Sequence, residues 1–317
     1  MRFGWLLAAT LAACYQPTLH EGAPCGPGAT CPTGQECRAG TCFFTTTPSD
    51  ASGDDGPEDT SMITVDAAPD AALTPPWGAP VELTSLETTA DGEDDPSITA
   101  DKLTVVLKAT PTGQTDHDLQ ICTRTALTDS FVCTPLAALN STADEDSPEI
   151  SPNGSTIWFV SDRTTAGNGD VWTSTQTGGV WAAPTMDANL SAGNVGDVAI
   201  SPDGLTAVTS HGTSLYLFTR TTTTSSWGTG VSHSELVTGL TSPAAPSITN
   251  GAALIYFHAM DPRDIYASRR LGNGNFKAAT PVTELNDAAL RDAAPFVLQT
   301  DDYMIFEREY DIFETTR

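Results

Sequence analysis

The chain has 317 residues, with 14 Lys plus Arg against 40 Asp plus Glu and a formal net charge of −26. This length allows one large core with appendages. A surface this acidic is repelled by nucleic acid and by anionic lipid headgroups, which excludes nucleic acid as a partner.

The first fourteen residues form a basic-then-apolar leader, Arg2 followed by Phe3 to Ala13 and then Cys14. The apolar run is too short to cross a bilayer as a mature helix, so residues 1–13 read as an export signal. Leu11-Ala12-Ala13-Cys14 resembles the lipobox of bacterial lipoproteins. That resemblance implies cleavage before Cys14, acylation of Cys14 and a lipid anchor in the envelope. The residue after Cys14 is Tyr15, which in enterobacterial lipoproteins points to the outer membrane; periplasmic side and cell surface both stay open. The alternative is a generic secretory signal cleaved near the same place, with Cys14 lost or free.

Seven Cys minus a lipidated Cys14 leave an even number, as an oxidising compartment favours. Cys25, Cys31, Cys37 and Cys42 lie among Gly and Pro in a module spanning 14–43, with almost nothing apolar to bury. Only cross-links can order such a segment, so two disulfides are expected, with three pairings open. A four-Cys zinc site is the rival for this spacing, disfavoured because exterior thiolates oxidise first.

Residues 44–75 carry seven acidic residues, Asp50 to Asp70, among Thr, Ser, Pro, Gly and Ala, and no Lys or Arg occurs between Arg38 and Lys102. Low hydrophobicity with like-charge repulsion gives an extended, disordered tether. At the reach of a flexible chain it would hold the C-terminal domain about 30 Å from its anchor.

From residue 76 to 317 the pattern is all-β and repeats. Asp146-Ser147-Pro148-Glu149-Ile150 opens a short strand, Ser151-Pro152-Asn153-Gly154 makes a tight turn with Asn-Gly expected at positive φ, and Thr156 to Val160 forms a second strand. The aligned Ile98, Ile150, Ile200, Ile248 and Val297 stand 52, 50, 48 and 49 residues apart. A period near fifty with four strands per unit is that of a β-propeller blade. The last unit ends at Arg317 with no fourth strand, whereas Trp77-Gly78-Ala79-Pro80-Val81-Glu82-Leu83 resembles the fourth strands of other units. An N-terminal strand that completes the C-terminal blade gives a closed ring of five blades. Cys122 and Cys133 fall opposite each other on one hairpin of blade 1, and a cross-strand disulfide is expected.

Ser151-Pro152-Asn153-Gly154, Ser201-Pro202-Asp203-Gly204 and the later Asp170-Val171-Trp172, Asp264-Ile265-Tyr266 and Asp311-Ile312-Phe313 resemble the TolB-type propeller repeat, a relative of the WD repeat found in bacterial envelope proteins. The resemblance covers about residues 76–317. It implies a propeller fold and, by analogy of fold, an envelope binding role. Nothing between residues 15 and 75 could form the additional N-terminal domain of TolB.

In such a ring the loops entering each first strand and leaving each second strand share one face. They carry Asp94, Asp95, Asp144, Asp146, Asp197 and Asp292, together with Asp162, Arg163, His211, His258, Asp261, Glu307 and Arg308. His211 and His258 are read as matching positions of neighbouring blades. Asp94, Asp95, Asp146, Asp197, His211, His258 and Asp292 are therefore the candidate binding face. No residue is assigned a catalytic role and no cofactor is expected, although a divalent cation could be held at the channel mouth. The bland alternative is that Asp before Pro recurs because it hydrogen-bonds the turn. Motifs for a serine nucleophile, a zinc protease and a phosphate loop are absent from the sequence. The expected function is a monomeric, lipid-anchored envelope protein whose propeller binds a protein or glycan, touching the membrane only through its anchor. The alternative is a glycan hydrolase using a pair of mouth carboxylates.

Overall fold

The computed structural model describes the backbone of residues 35–38 and 41–44, and residues 76–87, 92–260 and 263–317 in full. Strands Gln35–Arg38 and Thr41–Phe44 pair antiparallel with Cys37 opposite Cys42. The leader, lipidation at Cys14, the pairing of Cys25, Cys31, Cys37 and Cys42, and the linker after Phe44 lie outside the described residues.

Among the described residues from 76 onward, the strands form five antiparallel sheets arranged as propeller blades. Blade 1 comprises Glu93–Ile98, Thr104–Ala109, Asp118–Thr123 and Val132–Pro135. Blade 2 comprises Glu145–Ile150, Thr156–Ser161 and Asp170–Thr177, with two short pieces, Val180–Trp181 and Thr185–Met186, both paired to its third strand. Blade 3 is Val198–Ile200, Thr206–His211, Ser214–Thr219 and Val231–Ser232. Blade 4 is Ala244–Ile248, Leu254–Met260, Arg263–Arg269 and Thr280–Pro281. Blade 5 is Asp292–Val297, Tyr303–Arg308 and Asp311–Thr316, and its fourth strand is Val81–Glu82 from the other end of the domain.

The closing strand is short but well tied. Phe313 pairs with Glu82 and Glu314 with Val81, Gly78 N–H donates to Thr316 O at 2.8 Å, and Leu83 N–H donates to Ile312 O at 2.7 Å. Gly78 approaches so closely that a Cβ there would sit 2.9 Å from the Thr316 carbonyl oxygen. Trp77 is buried between blades 4 and 5, with the Arg317 guanidinium 4.1 Å above its ring.

Each pair of neighbouring blades encloses its own hydrophobic core, and there are five such cores, one of them between blades 5 and 1. Second strands therefore bury both faces. Ile255, Phe257 and Ala259 pack toward blade 3, while the alternate Leu254 and Tyr256 pack toward blade 5. This explains why these segments read as continuous apolar runs rather than as an alternation.

Two expectations need correction. The fourth strands of blades 2 to 5 are only two residues long, because Pro and Gly near them break the ladder. In the Ser151–Gly154 turn only Gly154 takes positive φ, at 71°. Asn153 contributes through its side chain instead, its Oδ1 accepting the Ser155 N–H at 3.1 Å. Asp203 and Asp101 accept the N–H of Leu205 and Leu103 in the same way, each at 3.0 Å.

Cys122 and Cys133 are Cα partners joined by a disulfide. Alkylation of the unreduced, denatured protein is expected to label neither cysteine, and their double replacement by Ser to lower unfolding free energy by about 3 kcal/mol. Trp77→Ala should cost about 3–5 kcal/mol in a denaturant titration, because it empties the core that the closing strand seals.

Candidate functional site

Antiparallel register brings the start of each first strand against the end of each second strand at one end of the channel. Asp94 stands beside Lys108, Asp146 beside Val160, Ala244 beside His258 and Asp292 beside Arg308. A β-bulge interrupts the first strand of blades 1, 2, 4 and 5 near this mouth, with Asp95, Ser147, Ala245 and Ala294 at positive φ between 43° and 49°. In a regular strand, neighbouring side chains point to opposite faces. The bulge cancels that alternation, so Asp94 and Asp95 both turn toward the same point.

That point is the Lys108 ammonium. Its Nζ lies 3.3 Å from Asp94 Oδ2, 3.3 Å from Asp95 Oδ2 and 3.3 Å from Asp146 Oδ1 of the next blade. Burial works against the Lys108 charge, but the three carboxylates outweigh it and hold its pKa well above the usual lysine range. Burial also pushes Asp95 up; Lys108 opposes this, but the charges of Asp94, Asp197 and Asp146 add to it, and Asp95 reaches about 7. For Asp94 and Asp146 burial is outweighed instead. Lys108, the Glu307 carboxyl and the Asp95 N–H hold Asp94 low, and His117 and Lys108 do the same for Asp146. His117 Nδ1 lies 3.1 Å from Asp146 Oδ1, and that bond raises the imidazole pKa.

The network continues around the ring. Asp197 of blade 3 accepts from the Ser210 hydroxyl and the Ala245 N–H, yet burial keeps its pKa raised. Glu307 of blade 5 pairs with Arg291 and meets Asp94 of blade 1. Burial and the Asp94 carboxylate lift Glu307 to about 8 against the pull of Arg291, so at neutral pH Glu307 is the protonated member of the pair.

Of the two histidines of the expected face, His211 is placed elsewhere and His258 is buried at the mouth register. His211 and His258 are not at matching positions, because His258 is aligned with Ser210 and His211 lies one residue further along its strand. A shift of one residue turns a strand side chain to the other face. His211 thus bonds Thr209 Oγ1 at 2.7 Å and packs on Tyr216, in an aromatic hollow that Trp227 also lines. His258 is buried and accepts the Ala294 N–H at 3.2 Å, and burial lowers its pKa to about 3. Asp292 is fully buried and clamped by Arg308 Nε at 2.7 Å. Asp144 and Asp162 bond backbone N–H groups of His117 and Gly167, and Arg163 pairs with buried Glu145 at 2.9 Å. Asp261 lies outside the described residues.

Among the described residues no group of three or more His, Cys, Asp or Glu could hold a metal ion. At the mouth the Lys108 ammonium stands where a cation would have to sit. The mouth is also uneven. Blades 1 to 3 turn Asp95, Asp146 and Asp197 into it, while Ala245, Ala293 and Ala294 form an apolar cluster on the side of blades 4 and 5.

Sequence reasoning missed Lys108, His117 and Arg291; the signal for Lys108 was a lone cation inside the apolar strand Thr104–Ala109, and His117 stands between Asp116 and Asp118. It also missed the opposite end of the channel. There a cleft of about 820 Å³ opens among the turns that join first to second strands, and Glu149 lines it.

No family model matches the chain, and no curated protein sequence does. Solved structures similar to it include the TolB-assigned protein of Agrobacterium tumefaciens, at 16% identity and a TM-score of 0.47, covering 72% of this chain and 75% of that one. TolB of Acinetobacter baumannii matches at 13% identity and a TM-score of 0.44, covering 74% of this chain and 56% of that one. The catalytic domain of the Coprinopsis cinerea GH62 α-L-arabinofuranosidase matches at 14% identity and a TM-score of 0.52, covering 76% of this chain and 96% of that one. At such identities the likeness is one of fold.

Glu307 provides a pH test. Its folded pKa is raised from 4.5 to about 8, so its contribution to stability is full below about pH 4.5 and is lost as pH rises toward 8. Glu307→Gln keeps a donor and cannot ionise. Urea midpoints at pH 5 and pH 8.5 should therefore shift in favour of the variant at the higher pH, by on the order of 2 kcal/mol relative to wild type. An unchanged gap between the two pH values would refute the assignment.

Proposed function

We propose that this chain is an exported, lipid-anchored envelope protein, outer-membrane in location, that displays its propeller as a non-catalytic binding module for an envelope protein or a glycan. The leader 1–13 with Cys14 supports the anchor, and the acidic tether 44–75 supports display at a distance. The observation that carries the non-catalytic reading is that the mouth carboxylates are already engaged by the protein itself. Asp94, Asp95 and Asp146 share Lys108, Asp197 takes Ser210 and Ala245, and Asp292 takes Arg308. A general acid or base needs a lone pair or proton free to face a substrate. Carboxylates still outnumber cations on the side of blades 1 to 3, which suits a partner presenting basic or hydroxyl-rich surface. The propeller acts as a monomer and meets the membrane only through its anchor. A net charge of −26 argues against nucleic acid.

A second reading, hydrolysis of a glycan, draws on one observation. Asp95 at about 7 and Glu307 at about 8 are protonated near neutral pH, as a catalytic acid must be. The two readings separate in a reducing-sugar assay over a panel of plant and bacterial polysaccharides. The binding module releases nothing above the buffer control. Turnover that falls by about a hundredfold or more in Asp146→Asn or Asp197→Asn would establish the hydrolase instead.

A further inference from the structure

The face opposite the mouth holds a cleft that the proposed function leaves unexplained. The cleft of about 820 Å³ is lined by the five repeat-equivalent residues Ile98, Ile150, Ile200, Ile248 and Val297, an aliphatic ring with one member from each blade that also packs into the cores between blades. At the position just before each of these, the other blades carry Ser97, Ala199, Ser247 and Phe296, all without charge. Blade 2 carries Glu149.

Glu149 is only 8% exposed, and it lines the cleft. Ser97 and Ser247 use their hydroxyl oxygens to accept the Ile150 and Val297 N–H of the next blade, at 3.1 and 2.9 Å. Glu149 does the same for the Ile200 N–H, and among the described residues no charged side chain acts on it. A serine would serve that structural purpose without the cost of burying a carboxyl group. Burial drives the Glu149 pKa well above the usual carboxylate range, opposed only by that N–H. The other charged side chains around the cleft are engaged. Arg220 donates to Gly204 O at 2.7 Å and stacks on Trp227, Asp187 accepts the Asn189 N–H at 3.0 Å, and Asp203 accepts the Leu205 N–H.

An aliphatic ring with a single buried, uncompensated acid at its side is complementary to one kind of group. We infer that the cleft is a receptor for a primary ammonium carried on an aliphatic stem, the stem passing the ring of Ile98, Ile150, Ile200, Ile248 and Val297 and the ammonium pairing with Glu149. A sugar would leave its hydroxyls against five aliphatic side chains, and an anion would meet the carboxyl group; both are disfavoured. The amphipathic shape required is that of a lysine side chain or of a free alkyl diamine. This site lies at the other end of the channel from the mouth, and its existence does not depend on whether the mouth is catalytic.

Isothermal titration calorimetry of the full chain at pH 7 tests the inference with three probes: 1,5-diaminopentane, acetyl-Gly-Lys-Gly-amide and 1-pentanol. Saturable binding of at least one ammonium probe is expected, about tenfold or more tighter than 1-pentanol, and weakened about tenfold or more in Glu149→Gln. Tighter binding of the peptide identifies the source as a lysyl side chain of a partner protein, and tighter binding of the diamine identifies a free amine. Pairing also requires Glu149 to ionise, so titrations in two buffers of different ionisation enthalpy should show proton release in the wild type. That readout stands even if the variant does not fold. Absence of saturable binding by both ammonium probes, binding unchanged in a folded Glu149→Gln protein, or binding with no proton release would each overturn it.

Discussion

Two backbone pairings, Phe313 with Glu82 and Glu314 with Val81, join chain positions more than two hundred residues apart, and the whole ring depends on them. Bringing such distant ends together has an entropic cost that grows only slowly with length. The return is large, because without closure the core between blades 5 and 1 and the Trp77 pocket would both face water. Closure also removes the two free sheet edges that would otherwise invite pairing with other chains. The strand itself is only two residues long, so side chains finish the task. Trp77 under Arg317, Gly78 against Thr316 and Thr315 Oγ1 donating to Gly78 O at 2.8 Å hold the seam.

Once the ring is shut, the geometry of its axis is set. First strands converge there, and whatever their inward positions carry is forced together irrespective of charge. Blade 1 answers this with Lys108, placed so that one ammonium serves three carboxylates from two blades. Glu307 answers it differently, by holding a proton beside the Asp94 carboxylate. Both devices reduce the repulsion that five converging blades of an acidic protein would otherwise concentrate in one place.

The repeat was legible from Ile98 to Val297 because an inward apolar position in every blade cannot be relaxed without opening a gap between blades. The closing strand was legible because the last repeat lacked what the first segment supplied. Other features left no such trace. The bulges at Asp95, Ser147, Ala245 and Ala294 use positive φ without glycine, so nothing in composition announces them. Without the bulge, the facing of Asp94 and Asp95 cannot be inferred, and a single residue of register separates buried His258 from outlying His211. Glu149 did leave a signal, the one charged residue at a position that is otherwise Ser, Ala or Phe. Recurrence conceals such a residue, because it stands out only by breaking the pattern that the other blades keep.

The uneven mouth also bears on how anything could settle over it. A five-bladed ring offers a visitor five nearly equivalent rotational settings, and backbone alone gives little reason to choose among them. With carboxylates gathered over blades 1 to 3 and alanines over blades 4 and 5, those settings differ in electrostatic energy. The pseudo-symmetric wheel thereby acquires a single heading, and a cation approaching along the axis is turned to one side before any contact forms.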